Sequence, residues 1–328
     1  MNKIAVIGSS SFVGKSLVNN FLTNGDSVIG FNRSDARNPI LTSYINNKNI
    51  SNLELIHADL NHDIDVIVNK IKECKPNIII DAAGQGMVAE SWQDPTNWFN
   101  TNLVSKAKLF KEILDCTFLE KYIRISTPEV YGSSIEKLQT NSAYNPSTPY
   151  AISHASVDML LNAYFKENNF PIIIARFANF YGPGQQLYRI IPKSIIKCMR
   201  SEKIGLHGGG ISMRSFIYQS DFVSAINAVI EYGKVGKIYH FSDNDMYKIR
   251  DVVKIVCEQL NEDFYEFVID QPDRPAKDLM YNLDISSSKE IGWTPKINLK
   301  VGIADTIKWI EKNKSTFLEM STDYVYIP

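Results

Sequence analysis

Short runs of β-branched and aromatic residues alternate with amphipathic stretches through the first half of this chain, and that alternation leaves little choice of fold. The runs Ile4–Ile7, Ser27–Phe31, Leu53–His57, Asn77–Asp81, Tyr122–Ser126 and Pro171–Arg176 have the length and composition of strands. Between them lie segments such as Val13 to Leu22 and Trp98 to Leu114, with apolar residues at helical spacing. Strands separated by helices pair in parallel, because each helix carries the chain back along the sheet. The expected architecture is α/β, a doubly wound parallel sheet with its ligand at the carboxyl ends of the strands.

The first expected strand runs into Gly8-Ser9-Ser10-Ser11-Phe12-Val13-Gly14 and then a helix. Gly8 permits a tight turn, and Gly14 lets the helix pack closely. The backbone N–H groups from Ser10 to Val13 then sit at a helix N-terminus, where a pyrophosphate can be held. The second strand ends in Gly30-Phe31-Asn32-Arg33-Ser34, with no carboxylate to bond adenosine ribose hydroxyls. Arg33 and Ser34 suit a 2′-phosphate, which favours NADP over NAD, although Asn32 can also bond a ribose and Arg33 can be a solvated loop charge.

Tyr150 and His154 lie four apart in Pro149-Tyr150-Ala151-Ile152-Ser153-His154, on one face of a helix. With the glycine turn and Ser126-Thr127-Pro128-Glu129-Val130-Tyr131-Gly132, this order and spacing resemble the extended short-chain dehydrogenase/reductase family, which holds the NAD(P)-dependent sugar-nucleotide epimerases and dehydratases. The segments Arg176 to Gln185, Arg214 to Tyr218 and Asp273-Arg274-Pro275 resemble that family's substrate-side motifs, and the likeness is nearest to nucleotide-sugar 4,6-dehydratases.

The resemblance implies a Rossmann domain over residues 1–182, with segments near 212–243 returning to it. A smaller nucleotide-sugar lobe is implied over 183–211 and 244–313, and an arm over 314–328. It implies an NAD(P) site at the glycine turn, Asn32 to Ser34, Asp59, Leu60, Ala82, Ala83, Gly84 and Asn102, with Tyr150 and His154 at its reactive end. Tyr150 is then the base for a sugar hydroxyl, with Thr127 or Ser126 on the same oxygen, and Glu129 removes the proton beside the new ketone. Asn179, Gln186, Tyr188, Arg189, Arg214 and Arg274 are the implied contacts to a nucleotide-diphosphate sugar, since guanidinium groups match phosphate. A homodimer through the helices around Asn100 to Leu114 and Tyr150 to Phe165 is implied in the same way.

The chain departs from the family at three places. Ser11 stands for the middle glycine of the turn, Pro128 for the general acid of the dehydratases, and His154 for a lysine whose ammonium lowers the phenol pKa of the tyrosine. A neutral imidazole does not replace that ammonium and an imidazolium would do so in part; His154→Lys is expected to preserve activity in the second case, and to lower it where the pocket is shaped around a ring. Pro128 leaves dehydration, epimerisation and net C4 oxidation all open, as well as a catalytically weak dinucleotide-binding sensor or scaffold.

The 328 residues suffice for one large core or two lobes, and a formal net charge of −1 gives no reason to expect nucleic acid or an anionic membrane as partner. No apolar run reaches the length of a membrane span. The four cysteines show neither zinc nor redox spacing, and the five histidines are scattered. No metal is therefore expected, and the cysteines read as core residues of a reduced, cytoplasmic protein.

Overall fold

The computed structural model describes residues 1–34, 38–273 and 278–326. Its main sheet has seven strands: β1 (Lys3–Ile7), β2 (Ser27–Asn32), β3 (Leu53–His57), β4 (Ile78–Asp81), β5 (Lys121–Ser126), β6 (Ile172–Phe177) and β7 (Ile238–Phe241). All pair in parallel, in the order β7-β6-β5-β4-β1-β2-β3. The order reverses at β1, which pairs with both β2 and β4, and a crevice opens there at the carboxyl ends.

The central strands are apolar on both faces because both faces are covered. On one side, Leu17, Val18 and Phe21 of the helix Phe12–Thr23 and Phe222, Ile226 and Val229 of the helix Gln219–Tyr232 pack on Val6, Ile80, Ile123 and Ile173. On the other, Ile67 and Ile71, Leu109 and Phe110, and Val157 and Leu161 come from three further helices and pack on Ala5, Ile29, Ile79 and Ile172. Each such side chain contributes about 1.5–3 kcal/mol when fully buried. The helix Gln219–Tyr232 and β7 thus bring the chain back to the sheet after it has left it.

Away from the sheet, the helices Ile190–Met199, Ile249–Gln259 and Leu299–Lys312 pack around Ile195, Val252, Val256, Ile303 and Ile310. Beside them Ile204–His207 pairs in parallel with Val268–Gln271. By its aromatic and β-branched residues the run Phe264 to Ile269 reads as a strand in the sequence, but the strand starts later. Asp263 accepts the N–H of Tyr265 and starts a helical turn, Phe264–Phe267, which buries both phenylalanines, and the strand begins only at Val268. Trp98 to Leu114 is likewise not one helix, since a π-turn at Asn100–Val104 joins Pro95–Phe99 to Ser105–Ile113. The tail forms a short helix, Lys314–Glu319, anchored by buried Phe317. It then passes Tyr324 against Tyr188 and stacks Tyr326 on Trp98. Cys198 and Cys257, distant in sequence, lie with their sulfurs 3.8 Å apart in the smaller lobe and are not bonded.

Candidate active site

The glycine turn closes against the sheet through contacts that exclude side chains. Gly8 has φ +85°, and a Cβ there would lie 2.7 Å from Ala83 N. A Cβ on Gly14 would lie 2.2 Å from the Gly8 carbonyl oxygen. Ser11 differs: its φ of −68° is ordinary, and its Oγ accepts the Gly14 N–H at 3.0 Å and donates to Gly8 O at 2.8 Å. The side chain therefore caps the helix Phe12–Thr23 and is tied into the turn. Phe12 and Val13 stand in the first turn, where N–H groups have no intrahelical partner, and that turn carries no acidic residue to oppose an anion.

In front of this turn runs a pocket lined by Gly8, Ser10, Ser11, Asn32, Arg33, Ser34, Asp59, Leu60, Ala82, Ala83 and Gly84. It joins the ends of β1, β2, β3 and β4, and its narrow glycine wall fits a dinucleotide lying across the switch point. Asn32 is held in place, accepting from Ser9 Oγ at 2.9 Å and donating to Ser34 O at 2.6 Å. Arg33 is exposed on the wall. Asn102 is placed differently from the sequence expectation. It is fully buried, accepts from Gln85 N at 2.8 Å, and donates to Gln85 O at 3.1 Å and Ser153 Oγ at 3.0 Å. It clips the loop after β4 to the next helix; it does not line the pocket.

Thr127 follows β5 and caps a short 3-10 turn, Pro128–Tyr131, accepting from Glu129 N at 3.4 Å. Pro128 is buried at the first position of that turn, where its fixed φ suits the bend. Tyr150 opens the helix Pro149–Asn168, which Thr148 caps through the N–H of Ala151. Its ring lies 4.5 Å from that of His154, as the four-residue spacing requires. Burial raises the Tyr150 pKa, as does the charge of Glu129, while a hydrogen bond with Thr127 and the charges of Arg189 and Arg124 work against that rise. Ser126 is turned away: its hydroxyl donates to the buried Asp158, so Thr127 is the hydroxyl left for substrate.

His154 is buried, and its Nδ1 lies 2.9 Å from Arg124 Nη2. Burial holds its pKa well below the usual histidine value, and the charges of Arg124, Lys106 and Arg176 push the same way. An imidazolium, the one state in which His154 could stand in for a lysine ammonium, is therefore disfavoured near neutral pH. Arg124 comes from β5, and nothing near His154 in the sequence signals it.

On the substrate side, burial raises the Glu129 carboxyl pKa, with Arg214 and Tyr281 opposing. The Tyr281 hydroxyl stands 3.3 Å from Glu129 Oε1 and 3.1 Å from Asn179 Oδ1. The Arg214 guanidinium lies 4.5 Å over the Tyr281 ring and donates to the carbonyls of Met213, Leu279 and Asp278. Tyr281 was not expected from the sequence, where it carries no motif and follows Glu129 by 152 residues. Arg189 leans on Tyr188, its Nη2 3.5 Å from where a Gly86 Cβ would be, and Gln186 O accepts its N–H. Arg274 lies outside the described residues. Among the described residues no cluster of three or more metal-ligating side chains occurs, and no helix is long and apolar enough to cross a membrane. A phenol, a threonine and a carboxylate thus meet beside a dinucleotide-shaped crevice, the set needed to take a proton from a hydroxyl and another from the carbon next to it.

A family profile described as "NAD dependent epimerase/dehydratase family" matches residues 4–241. A human protein described as dTDP-D-glucose 4,6-dehydratase is 34% identical over 60% of this chain, and the match spans 57% of that relative, less than two thirds of its length. The dTDP-glucose 4,6-dehydratase of Escherichia coli is 29% identical, over 95% of this chain and 94% of its own. Among solved structures, a dTDP-glucose 4,6-dehydratase from Streptomyces venezuelae with NAD and TYD bound superposes with a TM-score of 0.88. It is 25% identical, over 96% of this chain and 98% of that one.

Proposed function

Because the chain belongs to the NAD dependent epimerase/dehydratase family, we propose that it modifies a nucleotide-diphosphate sugar by transient oxidation at C4, in the manner of a 4,6-dehydratase or epimerase. The observation that carries this reading is Tyr150 beside His154 on one helix face, with Thr127 and Glu129 from the end of β5 close enough to act on its hydroxyl. When bound, a nicotinamide dinucleotide would supply the hydride acceptor and give the same hydride back, to C6 after loss of water with a solvent proton reaching C5, or to C4 in epimerisation, so that no net reduction results. Tyr150, as its phenolate, the form that Thr127 and the charges of Arg189 and Arg124 favour against burial, takes the proton of the C4 hydroxyl, and Thr127 holds the same oxygen. The ketone acidifies the C5 hydrogen, and Glu129, its carboxyl raised by burial, is suited to remove it near neutral pH. Pro128 offers no acid, so Glu129, having taken the C5 proton, is the group that hands it to the departing C6 hydroxyl, which leaves as water. Returned to the opposite face of C5, a proton gives epimerisation instead.

Arg189 and Arg214 flank the cleft and suit a pyrophosphate, with Arg274 as a third candidate. Solved relatives carry NAD, whereas Arg33 beside Ser34, where the strand ends in an amide and not a carboxylate, supports NADP for this chain. The domain division read from the sequence, a cytoplasmic setting and a role in carbohydrate precursor synthesis belong to the same proposal. A homodimer does too, supported by exposed Val104, Ile152 and Met159 on the two helices concerned.

The test is to purify the protein, identify retained cofactor by mass spectrometry, and incubate it with a panel of nucleotide sugars. The expected product is a sugar that has lost water or been inverted, with no net reduction of cofactor. Stoichiometric release of reduced cofactor would instead show a net dehydrogenase, and binding without turnover a sensor or scaffold.

A further inference from the structure

Behind the catalytic helix lies a buried charge cluster that the chemistry above does not call on. Lys106, Asp81, Arg124, Asp158 and Arg176 are all at most 1% exposed. Lys106 Nζ lies 2.7 Å from Asp81 Oδ1, and Arg176 Nη2 lies 2.8 Å from Asp158 Oδ2. Each carboxylate thus has a cation of its own. Arg124 stands between the pairs, 3.3 Å from Asp81 Oδ2 and 3.8 Å from Asp158 Oδ1. Burial and the charge of Arg124 push the Lys106 pKa down to about 8, which still leaves it charged at neutral pH. Three cations face two carboxylates, so the cluster carries one net positive charge.

Arg124 carries that charge toward His154. Arg124 Nη2 meets His154 Nδ1 at 2.9 Å. A guanidinium only donates, so Nδ1 must accept and the ring hydrogen must sit on Nε2. Nε2 lies on the side of Gly84, 4.0 Å from where a Gly84 Cβ would be, and Gly84 lines the dinucleotide pocket. The other ring face is toward Tyr150.

We propose that Arg124 is a positioning residue for the reaction proposed above, on which this inference rests: it locks His154 as the neutral Nε2–H tautomer and stations behind that imidazole the positive charge that a lysine at 154 would carry. A neutral ring that accepts a charged hydrogen bond at Nδ1 is a stronger donor at Nε2. The charge also reaches Tyr150, where Arg124 offsets part of the effect of burial. The consequence turns the expectation for His154→Lys toward loss. An ammonium there would face the Arg124 guanidinium with both carboxylates already engaged, and the cluster would hold two net positive charges in a buried site. Arg124→Met with His154→Lys restores one net charge and keeps Asp81 and Asp158 paired.

Imidazole nitrogen NMR of histidine-labelled full-length protein, with His154 assigned by its loss in His154→Gln, reads the tautomer without any substrate. The expected result is an Nε2–H ring that does not titrate from about pH 5.5 to about 8.5. An Nδ1–H tautomer, or titration within that range, overturns the proposal. Calorimetry of NAD and NADP with the four proteins of the Arg124→Met/His154→Lys cycle provides the second reading. Each single variant should weaken cofactor binding by at least about tenfold, and the double should return to within about threefold of wild type. Losses that simply multiply in the double overturn the proposal. Neither reading involves a sugar nucleotide, so an absence of turnover would count against the proposed reaction and leave the role of Arg124 to be judged on these data.

Discussion

Gly14→Ala separates a contact effect from a conformational one. Position 14 is helical, so an alanine there is free of backbone strain and gains up to about 1 kcal/mol in helix propensity. Its Cβ, however, would lie 2.2 Å from the Gly8 carbonyl oxygen and 2.9 Å from Ser9 Cα. These are backbone atoms that cannot rotate away, and the same carbonyl receives the Ser11 N–H at 3.0 Å. The helix must shift from the end of β1, at about 1–3 kcal/mol for overpacking of this kind. Set against the full propensity gain, the net loss of stability is about 0–2 kcal/mol. The shift also misaligns the N–H groups of the first turn, so cofactor affinity should fall by at least about tenfold, or about 1.4 kcal/mol. Gly25→Ala is the control: φ is +84° and no atom lies within 4 Å, so only the left-handed backbone cost of about 1–2 kcal/mol applies and affinity should not change. Urea unfolding and calorimetry on both variants give the two readings. Wild-type affinity in Gly14→Ala, or weakened binding in Gly25→Ala, would refute the reasoning.

Further outcomes are expected elsewhere. NADP should bind tighter than NAD, and Arg33→Ala should narrow the gap; calorimetry showing NAD tighter by about tenfold would remove Arg33 from that role. Burial holds His154 well below its ordinary pKa and His240 down to about 3. The unfolded chain therefore takes up protons below about pH 6.5 that the folded one refuses, and the contribution of these rings to stability falls as pH drops, by about 1.4 kcal/mol per pH unit for each, with the raised carboxyl of Glu129 opposing it. Urea midpoints at about pH 7 and about 5.5 measure the slope, which should become shallower in His154→Gln; a flat profile contradicts it. The proposed dimer would cover Met159, 62% exposed beside Ile152 on the outer face of its helix, so Met159→Glu should shift sedimentation toward monomer without loss of folding.

The sheet was legible because parallel strands buried on both faces read as unbroken apolar runs, and because Gly8 and Gly14 answer to close approaches that any such turn must make. The Tyr150–His154 face was legible from helical spacing alone. The state of His154 was not, since it depends on Arg124, which arrives from β5 across the sheet. Tyr281 was hidden for a similar reason: it reaches Glu129 only through the fold. Ser11 read only as a departure from the glycine pattern, because its cap to the Gly14 N–H depends on the fold of the turn. The turn at Phe264–Phe267 was missed because an apolar run next to a capping aspartate suits a strand or a helical turn equally well.

Single-turnover kinetics with a nucleotide sugar carrying deuterium at C4 test the central claim most directly. Reduced nicotinamide should appear and decay in its absorbance band, its formation slowed by the isotope, while the product acquires solvent hydrogen at C5. Tyr150→Phe should bind the sugar nucleotide and give no such transient, and Glu129→Gln should form the reduced cofactor but not release the C5 hydrogen. Turnover without transient reduction, or unchanged turnover in Tyr150→Phe, would contradict C4 oxidation at this site.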